Sequence, residues 1–376
     1  MEVLPKKIKV VIGLNDFLVG GVQRQLVRQL ALYDRQKFDI SVVTLFQFKG
    51  SAEMYHLVPK DIPVYKFNFR GFTDIKNWLA LVRLLRSVRP DIVMSSLFFS
   101  NTVFRALKPF IGHSVIAREH NTYFDKTFFA RLTDKILSLI TDRIVCVSRT
   151  VAEFTAKQEG INHDKFKVIH NGIDLDEIAV LRKRCSDPGV LFEAPRSGKM
   201  VLNVARLTRQ KNHENLIRAF GQFALEHKDY YLVILGEGAQ LDKLAKLVEE
   251  LGYNDSVFLL GNRTDVEAFY CRAEFFISAS KMEGLSNAYL EALAFGLPLV
   301  ATETAGTDEL LEDGVNGYYI ANESQEAIIE ALNKIVDNVT MASMRGAAAS
   351  TATRFDIRKT VAEYEVLITE IFSKKQ

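Results

Sequence analysis

Short apolar, β-branched runs alternate with amphipathic stretches along the whole chain. In the first half the runs fall at residues 8–14, 38–45, 64–67, 91–97, 114–118, 143–148 and 167–170. They are short and rich in Val, Ile and Phe, which predicts strands. Between them, residues 23–33, 75–88 and 128–140 repeat apolar positions at three-to-four spacing, which predicts helices. After Gly172 comes an irregular polar stretch, 174–199, containing SDPG and APRSG. The alternation then restarts, with strands expected at 200–205, 231–235, 257–260, 275–279, 299–301 and 318–320 and helices at 215–227, 240–251, 265–270, 288–295 and 326–338. Strands alternating with helices imply right-handed crossovers and parallel sheets covered on both faces. The expected fold is α/β, with two doubly wound, Rossmann-like domains over 1–172 and 199–356 and a linker over 173–198. A last helix, 357–372, follows both domains and is free to pack back on the first. Ligands of such sheets bind at the carboxyl ends of the strands, and two facing domains make the cleft between them the default site.

A chain of 376 residues is too long for one core, and 48% hydrophobic with 25% charged residues suits a soluble globular enzyme. The net charge of +2 conceals an imbalance: residues 1–170 hold 26 Lys and Arg against 15 Asp and Glu, and the remainder hold 22 against 31. A basic half suits nucleic acid, an anionic membrane or a phosphorylated acceptor, unless the imbalance is incidental surface charge. Cys146, Cys185 and Cys271 are widely spaced and form no metal pattern, which points to a reducing compartment. The N-terminus lacks the apolar region of a signal peptide, and no apolar run is long enough to span a bilayer. A cytoplasmic location is expected, with the sequons at Asn262, Asn322 and Asn338 carrying little weight.

The densest chemistry lies in residues 281–306, KMEGLSNAYLEALAFGLPLVATETAG. Ser286-Asn287 opens a short helix that Gly296-Leu297-Pro298 stops, and a strand follows at once. Glu283 stands in the loop and Glu291 inside the helix. Backbone N–H groups at a helix start, here from Leu285, Ser286 and Asn287, take a diphosphate, and carboxylates accept from hydroxyls. The arrangement suits a sugar nucleotide, against the plain alternative of solvated glutamates.

Other candidates lie at expected strand ends. Gly20-Gly21 precede a helix and permit close approach of a ligand or make a plain turn; the absence of GxGxxG disfavours a nicotinamide cofactor. His120 follows the strand carrying Arg118 and would face the cleft. In NVARLTRQKN, Arg206 and Lys211 are two cations able to clamp a diphosphate and stabilise a departing phosphate, with Arg209 read as solvated. The glycines of Gly236-Glu237-Gly238 permit close approach of backbone. Asn262 and Arg263 lie in a second such loop, where Arg263 either stacks on a base or is a surface arginine. Asp174-Leu175-Asp176 mimics a metal-binding DxD but reads as turn and helix-capping chemistry.

Taken in order, Gly20-Gly21, Arg118-Glu119-His120, VSRT at 147–150, IHNGID at 169–174, Arg206 with Lys211, and Glu283 with Glu291 resemble a retaining glycosyltransferase of the GT-B class, family 4, over nearly the whole length. The REHN segment is most similar to enzymes that add hexoses or N-acetylhexosamines to undecaprenyl-diphosphate-linked glycans. The resemblance implies that Gly20 and Gly21 contact donor phosphate or acceptor, and that His120 bonds a donor-sugar hydroxyl or the leaving phosphate. It makes Arg206 and Lys211 catalytic. It sets Glu283 on the transferred sugar, Glu291 on the ribose, and the Asn262 loop against the nucleobase. Front-face transfer from a nucleotide sugar, a UDP-sugar ahead of a GDP-sugar, also follows from the resemblance; Arg206 and Lys211 do the work of a metal, so no metal or cofactor is expected.

The acceptor side is sought in the first domain, where Phe98-Phe99, Phe110, Tyr123-Phe124 and Phe128-Phe129 interleave with Arg105, Lys108, Lys126, Arg131 and Lys135. This set suits peripheral contact with an anionic inner leaflet and a lipid-linked acceptor. It equally suits an ordinary amphipathic helix whose apolar face is core. Nucleic acid is the weaker option, since no binding motif appears. Two rivals share the fold: a sugar-nucleotide epimerase, and a non-catalytic nucleotide-sugar-binding partner subunit.

Overall fold

A computed structural model describes residues 6–48, 53–185, 194–337 and 341–375. The SDPG segment and Asn338 lie outside the described residues. The strands are β1 (Ile8–Leu14), β2 (Phe38–Thr44), β3 (Val64–Lys66), β4 (Ile92–Ser96), β5 (Ser114–Glu119), β6 (Arg143–Cys146), β7 (Phe166–Val168), β8 (Lys199–Val204), β9 (Tyr230–Leu235), β10 (Val257–Leu259), β11 (Phe275–Ser278), β12 (Leu299–Thr302) and β13 (Gly317–Ile320). The helices are α1 (Gly21–Leu32), α2 (Ile75–Val88), α3 (Phe98–Ile111), α4 (Phe128–Ser138), α5 (Arg149–Glu159), α6 (Leu175–Cys185), α7 (His213–Glu226), α8 (Leu241–Glu250), α9 (Val266–Arg272), α10 (Asn287–Ala294), α11 (Gln325–Val336), α12 (Met341–Ala352) and α13 (Ile357–Ser373).

The chain divides into a first unit of residues 1–171 with 357–376 and a second unit of 172–356. The first holds a parallel sheet of order β3-β2-β1-β4-β5-β6-β7. Its central strand β1 lies between β2 and β4, with Ile12 paired to both Val42 and Met94. Val10, Val11 and Ile12 are all buried, as a strand covered on both faces requires. The last helix belongs here: Val361, Tyr364, Leu367, Ile368 and Ile371 share one core with Ile8, Leu26 and Leu30.

The second unit has order β10-β9-β8-β11-β12-β13, again parallel. The expectation of irregular chain over 173–198 is corrected at α6. Asp174 starts that helix by accepting from the N–H groups of Asp176 and Glu177, both at 3.1 Å. The second residue of the DxD is thus in the first turn of a helix capped by the first. Cys185 at the end of α6 is disulfide-bonded to Cys271 of α9, with Cα atoms 6.1 Å apart. A separation of 86 residues hides this pairing from the sequence, and the bonded pair runs against the reducing compartment read from the cysteine spacing.

Candidate active site

In the second unit the strand order reverses between β8 and β11, and the chain leaving these two strands carries Arg206, Lys211 and Glu283. Such a reversal opens a crevice at the carboxyl ends. The two exit loops are tied together: the Lys281 N–H donates to the Gln210 carbonyl at 2.8 Å, and Gln210 Nε2 donates to the Met282 carbonyl at 2.8 Å. Lys211 ends a short 3₁₀ turn, Arg209–Lys211, and Asn212 follows in the left-handed region at φ 55°. That turn aims the Lys211 ammonium at the Glu283 carboxylate, and the two form an ion pair with side chains 15% and 10% exposed.

A buried pair underlies this contact. Asn203 of β8 donates to the Ile277 carbonyl of β11 at 2.7 Å and bonds His213 Nε2 at 3.1 Å through its Oδ1. Burial, helped by the Lys211 charge, pushes His213 down to about 4, so it is neutral at pH 7. Gly236, at φ 141°, is required by its neighbour: a Cβ there would lie 2.0 Å from the Ala205 carbonyl oxygen. Its close approach is therefore to the backbone beside Arg206, and Leu207 N–H donates to Glu237 O at 2.9 Å across the same seam.

α10 starts at Asn287, with Ser286 as its cap residue and Leu285 buried. One turn inside, buried Glu291 accepts from the Tyr270 hydroxyl of α9 at 3.2 Å. Arg206, Asn262 and Arg263 are exposed. Arg263 makes two bonds to Asp265, at 2.8 and 2.9 Å.

In the first unit the reversal falls between β1 and β4. Gly20 and Gly21 begin α1, behind a loop closed by Asp16, which accepts from Leu18 N–H and Gln23 Nε2, both at 3.1 Å. A Cβ on Gly20 would meet Gln23 Oε1 at 2.6 Å. Asn15 Oδ1 accepts from Ser100 N–H at 2.9 Å, joining the exit of β1 to α3. Leu97, between β4 and α3, sits at φ 73°. A non-glycine residue there stores local strain at the switch point. His120 follows β5 and contacts Ser96 Oγ at 3.2 Å, an atom that also accepts from Arg118 Nε at 2.8 Å. Burial and then the Arg118 charge push His120 down to about 3. A neutral imidazole is suited to hydrogen bonding.

Part of the expected acceptor surface is corrected. Arg105 is buried against Asp134, Lys126 bonds Asp134 at 2.9 Å and also pairs with Glu159, and Lys108 pairs with Asp142 at 2.6 Å. Arg105 and Lys126 hold the unit together from within, while the Lys108–Asp142 pair is about a quarter exposed. Glu119, next to His120, borders the same cluster and accepts from Asn101 Nδ2 at 3.1 Å. Burial raises its pKa, as it raises that of Glu159 to about 7. Ser96, Tyr270, Asn203 and His213 were not found from the sequence; only the REH string beside Ser96 and the NVARLTRQKN string, which contains Asn203 and ends just before His213, gave a local signal.

Two family models match the chain: "Glycosyl transferases group 1" over residues 192–351 and "Glycosyltransferase Family 4" over residues 19–177. A relative 30% identical over 355 residues, covering 90% of this chain and 93% of its own, is the N-acetylgalactosamine-N,N'-diacetylbacillosaminyl-diphospho-undecaprenol 4-alpha-N-acetylgalactosaminyltransferase of Campylobacter jejuni. The UDP-Gal:alpha-D-GlcNAc-diphosphoundecaprenol alpha-1,3-galactosyltransferase of Escherichia coli is 24% identical and covers 85% of this chain and 86% of its own. Among solved structures, HepE of Anabaena in complex with UDP and glucose superposes with a TM-score of 0.80 at 19% identity, covering 96% of this chain and 99% of that one. Sucrose-phosphate synthase from Thermosynechococcus elongatus gives a TM-score of 0.81 at 14% identity, covering 98% and 100%. The chain belongs to glycosyltransferase family 4 and has the GT-B fold.

Proposed function

We propose that this glycosyltransferase moves a hexose or N-acetylhexosamine, with retention, from a UDP-sugar to a polyprenyl-diphosphate-linked glycan. The observation that carries the donor half is the Lys211–Glu283 ion pair at the β8/β11 switch point, with buried Glu291 eight residues on. The names of the Campylobacter and Escherichia relatives support the acceptor half.

In this reading the β-phosphate of the donor takes Lys211 from Glu283, and Arg206 adds its planar fork. Glu283, released, accepts from hydroxyls of the transferred sugar. Glu291 accepts from the ribose, and the α10 start meets the phosphates; in the first unit, Gly20 and Gly21 contact donor phosphate or acceptor. His120 bonds a donor-sugar hydroxyl or the leaving phosphate. The acceptor oxygen attacks C1 on the face the phosphate leaves. The C1–O bond breaks with its electron pair going to the β-phosphate, and the acceptor proton moves to a phosphate oxygen. Arg206 and Lys211 stabilise the charge that grows there, so no metal ion is proposed.

Thermal-shift screening against UDP-, GDP- and ADP-sugars tests the donor, since a ligand of the folded state raises its melting temperature. Stabilisation by GDP- or ADP-sugars alone would overturn the uridine assignment. Product linkage determined by NMR tests retention. Activity lost in EDTA and regained with Mn²⁺ would overturn the metal-free reading. An epimer formed from UDP-sugar without acceptor would favour the epimerase.

A further inference from the structure

In α4 of the first unit the usual burial of an amphipathic helix is reversed. Its buried residues are Asp134 and Ser138, while Phe128, Phe129, Leu132 and Ile136, with Leu139 just beyond, are exposed, Phe129 by 78%. At 100° per residue these five fall within one stripe about 100° wide, bordered on one side by Lys135 and Arg131. A soluble helix buries such a stripe in the core. Here the helix is fixed on its polar side instead. Thr127 caps it by accepting from Ala130 N–H at 3.2 Å, and Asp134 is held by Arg105 of α3 and by Lys126. Lys126 pairs with Glu159 of α5 as well.

We propose that α4 is an in-plane docking helix whose apolar stripe enters the headgroup–acyl boundary of an anionic lipid bilayer. A helix that gives its apolar face to lipid cannot be held to its own domain by hydrophobic burial, so buried ion pairs hold it. The stripe contains no hydrogen-bonding side chain, as a lipid boundary demands and a polar-rimmed protein interface does not. Charge complementarity fits the same occupant: Lys135 and Arg131 flank the stripe, and residues 1–170 carry an excess of 11 positive charges. Among the described residues no helix is long and apolar enough to cross a membrane, so α4 supplies attachment by lying in the surface. The inference rests on the lipid-linked acceptor proposed above and names the surface that presents it.

The test is co-sedimentation of the full chain with phosphatidylcholine vesicles, with and without phosphatidylglycerol, for the wild type and for Phe128→Ser/Phe129→Ser/Leu132→Ser. The wild type is expected to bind the anionic vesicles, less so as salt rises. The variant is expected to lose at least about tenfold in partitioning, with an unchanged circular dichroism melt because the replaced side chains are exposed. Absence of wild-type binding at low salt, or equal binding by the variant, would overturn the proposal. So would a wild-type dimer that fails to bind vesicles and becomes monomeric in the variant, since the stripe would then be a self-interface. Donor recognition is judged separately by the UDP-sugar thermal shift, so either reading can fail alone.

Discussion

The two units share a parallel sheet and a reversal of strand order, but they handle charge in opposite ways. In the second, an ion pair stands at the strand ends: Lys211 and Glu283 remain partly open, on loops stitched by Gln210. In the first, Arg105, Asp134, Lys126 and Glu159 are closed inside the unit. What that unit offers outward is a histidine kept neutral and an apolar helix face. A partly solvated pair exchanges partners at modest cost, which a site for a charged diphosphate needs. A buried pair resists exchange, because losing one partner strands the other charge away from water. One pair is thus suited to binding and the other to scaffolding.

The strongest way to break this comparison is to remove one carboxylate from each unit. Asp134→Ala leaves Arg105 and Lys126 short of a partner in the interior and is expected to destabilise the first unit by about 3–5 kcal/mol. Urea unfolding followed in both units reads this, as two transitions if they unfold separately. Glu283→Ala is expected to cost less stability than Asp134→Ala, since its pair is 15% and 10% exposed against 2% and 2%, and to slow transfer by about 10²–10³-fold, on the scale of losing one preorganised group at the reacting centre. A large stability loss in Glu283→Ala with transfer intact would make Lys211–Glu283 a scaffold and end the distinction.

Acid separates the units more finely. His213 has a folded value of about 4 against an ordinary 6.5, so the unfolded chain binds its proton first as pH falls. Its stabilising contribution is complete above pH 6.5 and is lost toward pH 4, at about 1.4 kcal/mol per pH unit. Glu159 works the other way: raised to about 7, it favours the fold at low pH and loses that contribution as pH rises through 7. The second unit is therefore expected to lose about 2 kcal/mol between pH 6.5 and 5, and His213→Gln to flatten that slope in pH-resolved melts. An unchanged slope in the variant would remove His213 as the cause.

Much of this was legible in the sequence, for reasons specific to each part. The strands were legible because buried parallel strands are near-continuous apolar runs, as in 8–14 and 231–235. The helix α3 was not, since Ser100, Asn101 and Arg105 are buried in it and blur its period. The helix α6 was hidden because its apolar residues Ile178, Ala179, Val180 and Leu181 run together instead of recurring at helical spacing, with only Ile178 buried. The apolar stripe of α4 was legible, but the side it faces was not, because periodicity reports that a helix has two faces and not which one the protein covers. Lys211 and Glu283 were legible as candidates through the order of motifs. Their contact, across 72 residues, needed the reversal of strand order to bring it about.

The smallest expected effect probes how the second unit holds its other carboxylate. Glu291 is fixed by the rigidity of α10 and by the Tyr270 hydroxyl. Tyr270→Phe removes the hydroxyl's bond to Glu291 and its longer contact with the Ala288 carbonyl at 3.5 Å, and keeps the ring, which stacks 5.3 Å from Phe295. A net loss of about 0.5–1.5 kcal/mol corresponds to a rise in donor KM of about 2–12-fold. Because a ribose contact is made equally in the ground and transition states, kcat should barely change. If kcat fell and KM held, Glu291 would act at the reacting centre. The division of labour between the two glutamates would then be wrong, even though both remain on the donor side.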